Sequence, residues 1–332
     1  MFGSLFGPKP KQPKPGGLPK GPRTNLEKRF SIVAEVGQGS MSRVYKASDN
    51  QHGRIVCLKV QDRAKTAAAL ARSGLALTGS ISEGAIGQKI IHENIVRTFD
   101  HGVSNKGDHF IVMEFIEGQS LTFIRQSRAL KLTEKLNLLV QTADGLAAVH
   151  SAGFIHHDFG PKNVLVNRDD HVKIIDFGLS VPNLPAFNRP GNRTGTVAYM
   201  APELLRRETT DEKIDIFSYG VLAFELLTGR MPYDATNNQA IMLQRINTDP
   251  LDIGTVAPDL PDDLKHVIQK TLMRKPRDRW PSMPTLAKVL RELYEAQPSA
   301  VEPPRRVKRV RRPGTPPSTA ESPSSDGTST PR

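Results

Sequence analysis

The chain has a single cysteine, Cys57, in 332 residues, which excludes an internal disulfide and argues against a metal site built on thiolates. No apolar run approaches the ~18 residues of a membrane span, and the opening Met1–Phe6 is too short for a signal-peptide core. These absences predict a soluble, cytoplasmic protein in a reducing compartment with no transmembrane segment. No internal repeat is visible. Acid is scarce at both ends: residues 1–24 carry five Lys/Arg and no acid, and residues 299–332 carry seven Lys/Arg against three acids. The ends therefore supply +9 of the net charge of +12, and the middle only +3, so the body of the protein is close to neutral.

The two ends also lack the apolar residues that would offset the entropy of ordering them. Residues 1–24 read as a disordered Pro/Gly/Lys-rich tail, and residues 299–332 as a disordered Pro/Ser/Thr-rich one. In the second, Arg305–Arg312 is either a solvated charge run or a contact for nucleic acid or an anionic surface, and Thr315, Ser322 and Thr330 precede proline as candidate phosphosites.

What lies between is apolar enough, at 37% of the whole, for a sizeable core. Phe30–Val36, Val44–Ala47, Ile55–Val60 and Phe110–Phe115 read as short strands split by turn residues. From Leu132 the spacing becomes helical, with Leu136, Leu139, Val140, Ala143, Leu146 and Val149 along one face. A β segment follows around Val164–Asp176, and helical patterns resume at Ile214–Leu227, Leu264–Leu272 and Met283–Leu293. A small β-rich part followed by a larger helical part leaves a cleft between them, where a ligand is expected.

Candidate chemistry begins at Val36-Gly37-Gln38-Gly39-Ser40-Met41-Ser42-Arg43-Val44. Glycines between two strands let backbone N–H groups approach phosphate oxygens, although a tight hairpin turn would use the same glycines. Fifteen residues past Val44, Val56-Cys57-Leu58-Lys59 ends a strand on a lysine able to reach such phosphates. Further on, His156-His157-Asp158-Phe159-Gly160-Pro161-Lys162-Asn163 is followed by Asp176-Phe177-Gly178 and by Gly195-Thr196-Val197-Ala198-Tyr199-Met200-Ala201-Pro202-Glu203. In order and separation these resemble the catalytic loop, Mg²⁺ motif and activation-segment end of the eukaryotic-like (Hanks-type) serine/threonine protein kinases, bacterial as much as eukaryotic.

That resemblance implies an α+β, two-lobed kinase fold over residues 25–298. The N-lobe would occupy about 25–113, the hinge 114–118 and the C-lobe 119–298. It also implies ATP and Mg²⁺, with Mn²⁺ as a substitute, protein substrates and the protein itself as one of them. By role, Asp158 would accept or orient the acceptor hydroxyl, Asn163 and Asp176 would hold the metal, and Lys59 would contact the α/β-phosphates. Its partner carboxylate would be Glu83, nine residues before His92-Glu93-Asn94-Ile95-Val96. Gly37, Gly39 and Val44 would cover the nucleotide, with Cys57 above the adenine and Leu165 below it. Met113 would be the gatekeeper, and the backbone of Glu114 and Ile116 would meet the base. Asp215-Ile216-Phe217-Ser218-Tyr219-Gly220 is similar to a family helix start with Phe217 replacing Trp, and Arg279 would pair with Glu203.

Four departures qualify the carry-over. His157 replaces an arginine, Gly160 replaces a lysine that contacts the γ-phosphate, and Ser42 replaces the third loop glycine. Gly84 and Gly87 stand inside the helix that carries Glu83, each costing about 1 kcal/mol relative to Ala, which predicts a mobile helix. Lys162, four residues after Asp158, is proposed as the substitute cation. Two other readings stay open: an ATP-binding pseudokinase scaffold, and a small-molecule kinase, which would lack the Ala201-Pro202-Glu203 segment and the Asp215 helix start.

An imidazole at position 157, with an ordinary pKa of about 6.5, is mostly neutral at pH 7 and cannot receive the charge of a phosphorylated activation loop. Alanine at both Thr194 and Ser180 is therefore expected to leave activity in place. Loss of activity in a folded double variant, measured by phosphate transfer, would overturn this.

Overall fold

The computed structural model describes residues 23–38, 42–62, 82–191, 194–234 and 237–297. Gly39, the remainder of both tails, Arg305–Arg312 and the three proline-directed sites lie outside the described residues.

Five antiparallel strands open the fold: β1 (Phe30–Gln38), β2 (Ser42–Asp49), β3 (Arg54–Gln61), β4 (Thr98–Val103) and β5 (His109–Glu114), in the order β1-β2-β3-β5-β4. Alternation along β3 and β5 puts Val56, Leu58, Phe110 and Val112 into a small core with Phe30 and Ala47. The sheet begins earlier than the sequence suggests. Thr24, assigned above to the tail, is bridged to Ser104 and donates its N–H to Val103 O at 3.0 Å. Strand β4 was not anticipated, because its residues, Thr-Phe-Asp-His-Gly-Val, mix polar groups into the pattern.

Helix α1 (Glu83–Lys89) starts at Ser82, whose hydroxyl accepts from Ala85 N–H. Its Ile86, with Ile90 beyond it, enters the large core, while Gly84 and Gly87, one turn apart, face β4. A Cβ on Gly87 would run into the Thr98 hydroxyl, and one on Gly84 into Cβ and Cγ of His101. The two glycines thus have a packing reason that their helix cost alone did not reveal: they let the helix lie against the strand.

After the connection at Phe115–Glu117, β6 (Gly118–Ser120) pairs with β8 (Val164–Asn167), which pairs with β9 (Val172–Ile174). A two-residue strand, β7 (Phe154–Ile155), pairs with β10 (Val181–Pro182). The rest is helical: α2 (Leu121–Ser127), α3 (Leu132–Ser151), α4 (Lys213–Thr228), α5 (Asn238–Asn247), α6 (Asp262–Thr271) and α7 (Met283–Glu295). The apolar face anticipated on α3 is buried, and α4 is buried from Ile214 to Leu227. This small sheet followed by a mainly helical region is the anticipated mixed α+β class. Among the described residues no helix is long and apolar enough to cross a membrane.

Gly84→Ala should destabilise the protein by about 1–3 kcal/mol, because overpacking against the rigid Cβ of His101 outweighs the ~1 kcal/mol gained in helix propensity. Denaturant unfolding midpoints would check this, and a gain in stability would show that the helix is not held against β4.

Candidate functional site

Between the sheet and the helical region lies a cleft of about 670 Å³. Its lining brings together Gly37, Val44, Cys57, Lys59, Met113, Glu114, Ile116 and Leu165, together with Glu83, Lys162 and Asp176. Of the nucleotide-contacting residues anticipated from sequence, only Gly39 falls outside the described residues. Ser42, Val96 and Ile175 also line the cleft.

Lys59 anchors the interior of the cleft. Its side chain extends from β3 with Nζ 2.7 Å from Glu83 Oε1 and 2.9 Å from Asp176 Oδ1. Glu83 is therefore not a surface acid: its side chain is 9% exposed and its second oxygen accepts from Gln61 Nε2 at 2.7 Å. Gln61 was missed from sequence, although two residues along a strand from Lys59 it shares that lysine's face. Burial works against the charge on Lys59, but the two carboxylates more than offset it and hold the ammonium above its ordinary range. Burial also works against Asp176, yet Lys59 and the Gly178 N–H hold its carboxyl below the usual range. For Glu83, burial and the nearby Asp176 charge push the carboxyl up, against the pull of Lys59. Removing one partner of such a buried pair costs about 3–5 kcal/mol, since the other is left uncompensated.

The backbone of Glu114 is already committed on one side, because its N–H donates to Arg97 O at 2.9 Å. Any contact with a base therefore falls to its carbonyl. The Glu114 side chain accepts from Lys173 Nζ at 2.7 Å and from Arg97 N–H at 2.8 Å, which ties the connection between the two regions to β9. Burial pushes the Cys57 thiol up to about 11.

Asp158 and Asn163 do not line the cleft but join it through Lys162, whose Nζ lies 2.8 Å from Asp158 Oδ2. The other Asp158 oxygen accepts from both the N–H and the hydroxyl of Thr196, each at 2.7 Å. Asn163 Nδ2 donates to Asp158 O at 2.8 Å, which commits the amide nitrogen and leaves the amide oxygen as its cation donor. The loop itself turns sharply. His157 has φ +68° and Asp158 N–H donates to His156 O at 2.9 Å, a strained turn for a residue that is not glycine. What holds it is Asp215 at the start of α4, which accepts from the N–H groups of His156 at 2.7 Å and His157 at 3.0 Å. Burial opposes the Asp215 charge, but His150 at 2.9 Å and the loop's donors keep the carboxyl below the usual range.

Gly160 is packed near the Tyr199 ring, where a Cβ would come within 3.3 Å of Cδ2. Tyr199 in turn donates its hydroxyl to Glu225 at 2.7 Å, and Glu225 is paired with Arg125 at 2.8 Å. Glu203 and Arg279 form the pairing anticipated above, with two bonds of 2.6 and 2.7 Å in a fully buried setting.

The Protein kinase domain family matches residues 30–293. Among curated proteins, the probable serine/threonine-protein kinase pknA2 of Bifidobacterium longum is 31% identical over 263 residues, covering 77% of this chain and 34% of that protein. The serine/threonine-protein kinase PknL of Mycobacterium bovis is 32% identical over 258 residues, covering 77% of this chain and 63% of that one. The serine/threonine-protein kinase PrkC of Bacillus subtilis is 27% identical over 272 residues, 81% of this chain and 41% of its own length. The chain thus spans between about a third and two thirds of these relatives. Since the match runs across the sheet, the cleft and the helical region alike, the chain belongs to the protein kinase domain family, with bacterial Hanks-type serine/threonine kinases as relatives.

Proposed function

We propose that residues 25–298 form an active kinase unit that transfers the γ-phosphoryl group of ATP to serine and threonine hydroxyls of proteins, itself included. The observation that carries this reading is the setting of Asp158, held between Thr196 and Lys162 beside the cleft of Lys59. Phosphoryl transfer needs alignment of an alcohol and neutralisation of spread-out charge more than covalent work by the protein. Asp158 would take the hydroxyl proton or orient the hydroxyl. Lys59, fixed by Glu83, would meet the α/β-phosphates.

Lys162 would supply the cation that position 160 lacks. Its side chain is half exposed and reaches both the cleft and Asp158, which supports that role. Asn163 and Asp176 would hold Mg²⁺ or Mn²⁺. A pair of oxygen donors fits Mg²⁺, which keeps waters and takes phosphate oxygens rather than a full protein cage. When bound, the metal would neutralise phosphate charge.

Activation without a phosphorylated loop is supported by three features. His157 is 4% exposed, and burial lowers its pKa from 6.5, so it is neutral at pH 7. Ser180 is buried and donates to His156 O at 3.2 Å, which makes it a poor kinase target. The segment after Gly178 is also held without phosphate: Asn183 N–H donates to Gly153 O at 2.8 Å, its side chain donates to Glu212, and Gly191 N–H donates to Arg207 O at 3.1 Å.

With labelled ATP and Mg²⁺, Asp158→Asn should lower labelling of the protein and of a basic acceptor about a hundredfold or more. Lys162→Ala should lower it roughly tenfold or more if it supplies the missing cation. ATP binding with no transfer by the wild type, under any divalent metal, would instead favour the scaffold reading.

The depressed pKa of His157 carries a stability consequence whose sign is fixed. The unfolded chain takes up this proton first as the pH falls below 6.5, so stability drops as pH falls from 6.5 toward the lower folded value. Asp176 and Asp215 are also depressed but titrate from 3.8 downward, outside this window, and Glu83, pushed up from 4.5, adds a contribution of opposite sign that wild type and a His157 variant share. Unfolding free energies at pH 7, 6 and 5 should therefore decline less steeply in His157→Gln than in the wild type.

A further inference from the structure

Among the described residues, the largest fully buried side chain is a cation with no acid beside it. Arg245, on α5, is 0% exposed, and among the described residues no carboxylate lies within 4 Å of its guanidinium. A charge removed from water in this way is costly unless its hydrogen bonds are met. They are met by backbone carbonyls. Nη1 donates to Val197 O and to Met200 O, each at 2.8 Å, and Nη2 donates to Ala198 O. The guanidinium also stands 5.1 Å from the centre of the Tyr233 ring and 5.7 Å from that of Phe217, and Nε has no hydrogen-bond partner among the described residues.

The carbonyl omitted from that set is Tyr199 O, and it accepts from Ser218 on α4 at 2.8 Å. Four successive carbonyls, from Val197 to Met200, are thus received by side chains of two C-lobe helices, three of them by one residue. No strand ladder holds this segment. It is a single 3₁₀ turn, and its internal bonds, Tyr199 N–H to Thr196 O at 2.9 Å and Met200 N–H to Val197 O at 3.3 Å, close it only locally. Thr196, immediately before the turn, makes the two bonds to Asp158 described above.

We propose that Arg245 is a positioning residue for the acceptor: it sets the backbone of Thr196–Met200 so that Thr196 meets Asp158 and an acceptor chain finds a formed surface. The proposal rests on the phosphotransfer reading above. Arg245 touches neither the nucleotide cleft nor the reacting atoms, so its loss should act on the acceptor and not on ATP. Its burial fits this assignment, because an arginine kept from water with carbonyls alone pulls the chain segments that own them onto one point. Burial lowers its pKa to about 10, which still leaves it charged at pH 7.

The test uses the full chain with Arg245→Met, which keeps bulk but removes all three donors, and Arg245→Lys, which keeps a charge in a head that cannot fork. For Arg245→Met, kcat/KM for a basic protein acceptor should fall about tenfold or more, with the ATP dissociation constant within about twofold of wild type. Arg245→Lys should fall between. Amide exchange should quicken at Thr196–Met200 while the amides of α4 keep their protection. Unchanged acceptor kinetics with unchanged exchange at Thr196–Met200 would overturn the proposal, as would an equal loss of ATP affinity, the mark of a general packing role. If Arg245→Met does not fold, Arg245→Lys decides by the same criteria. If the wild type transfers nothing, the phosphotransfer reading fails, and the exchange comparison still decides whether Arg245 positions this segment.

Discussion

One ammonium shared between two carboxylates joins the parts of this protein that must act together. Lys59 comes from the sheet, Glu83 from a short helix and Asp176 from a loop 117 residues away in sequence, and both carboxylates lie within 2.9 Å of the ammonium. Glu83 is buried enough to need the cation, and Lys59, itself buried, is compensated by Glu83 on one side and by the half-exposed Asp176 on the other. The rest of the cleft follows from it. The close approach of the glycine face of α1 to β4 brings Glu83 inward, and Gln61 holds the oxygen that Lys59 leaves.

A second carboxylate does comparable work on the backbone of a loop, with His150 beside it. Asp215 receives two successive N–H groups of the loop that carries Asp158, and so fixes a turn in which His157 takes a backbone conformation unfavourable to it. Strain of this kind persists only where the surroundings over-determine it. Here the determinant is a helix buried from Ile214 to Leu227, so the position of Asp158 is tied to the core.

The sequence was informative where chemistry demands residue types at set spacing. The Asp158–Asn163 loop, the Asp176 motif and the Glu203–Arg279 pairing were legible because their identities carry meaning apart from packing. Strand β4 was not, because half of its residues are polar and its role is to receive two glycines from another element. Those glycines were misleading by themselves, since a propensity scale records their cost and not the contact they permit. Arg245 was invisible for a stronger reason: an arginine on a short helix is ordinarily a solvent-facing residue, and only the carbonyls gathered around it show otherwise.

Cys57 sits in the roof of the cleft with its thiol raised to about 11. At neutral pH the thiol form dominates over the thiolate, the form that attacks electrophiles and peroxides. A ligand seated in this cleft with a reactive warhead over Cys57 would therefore gain little from covalent capture.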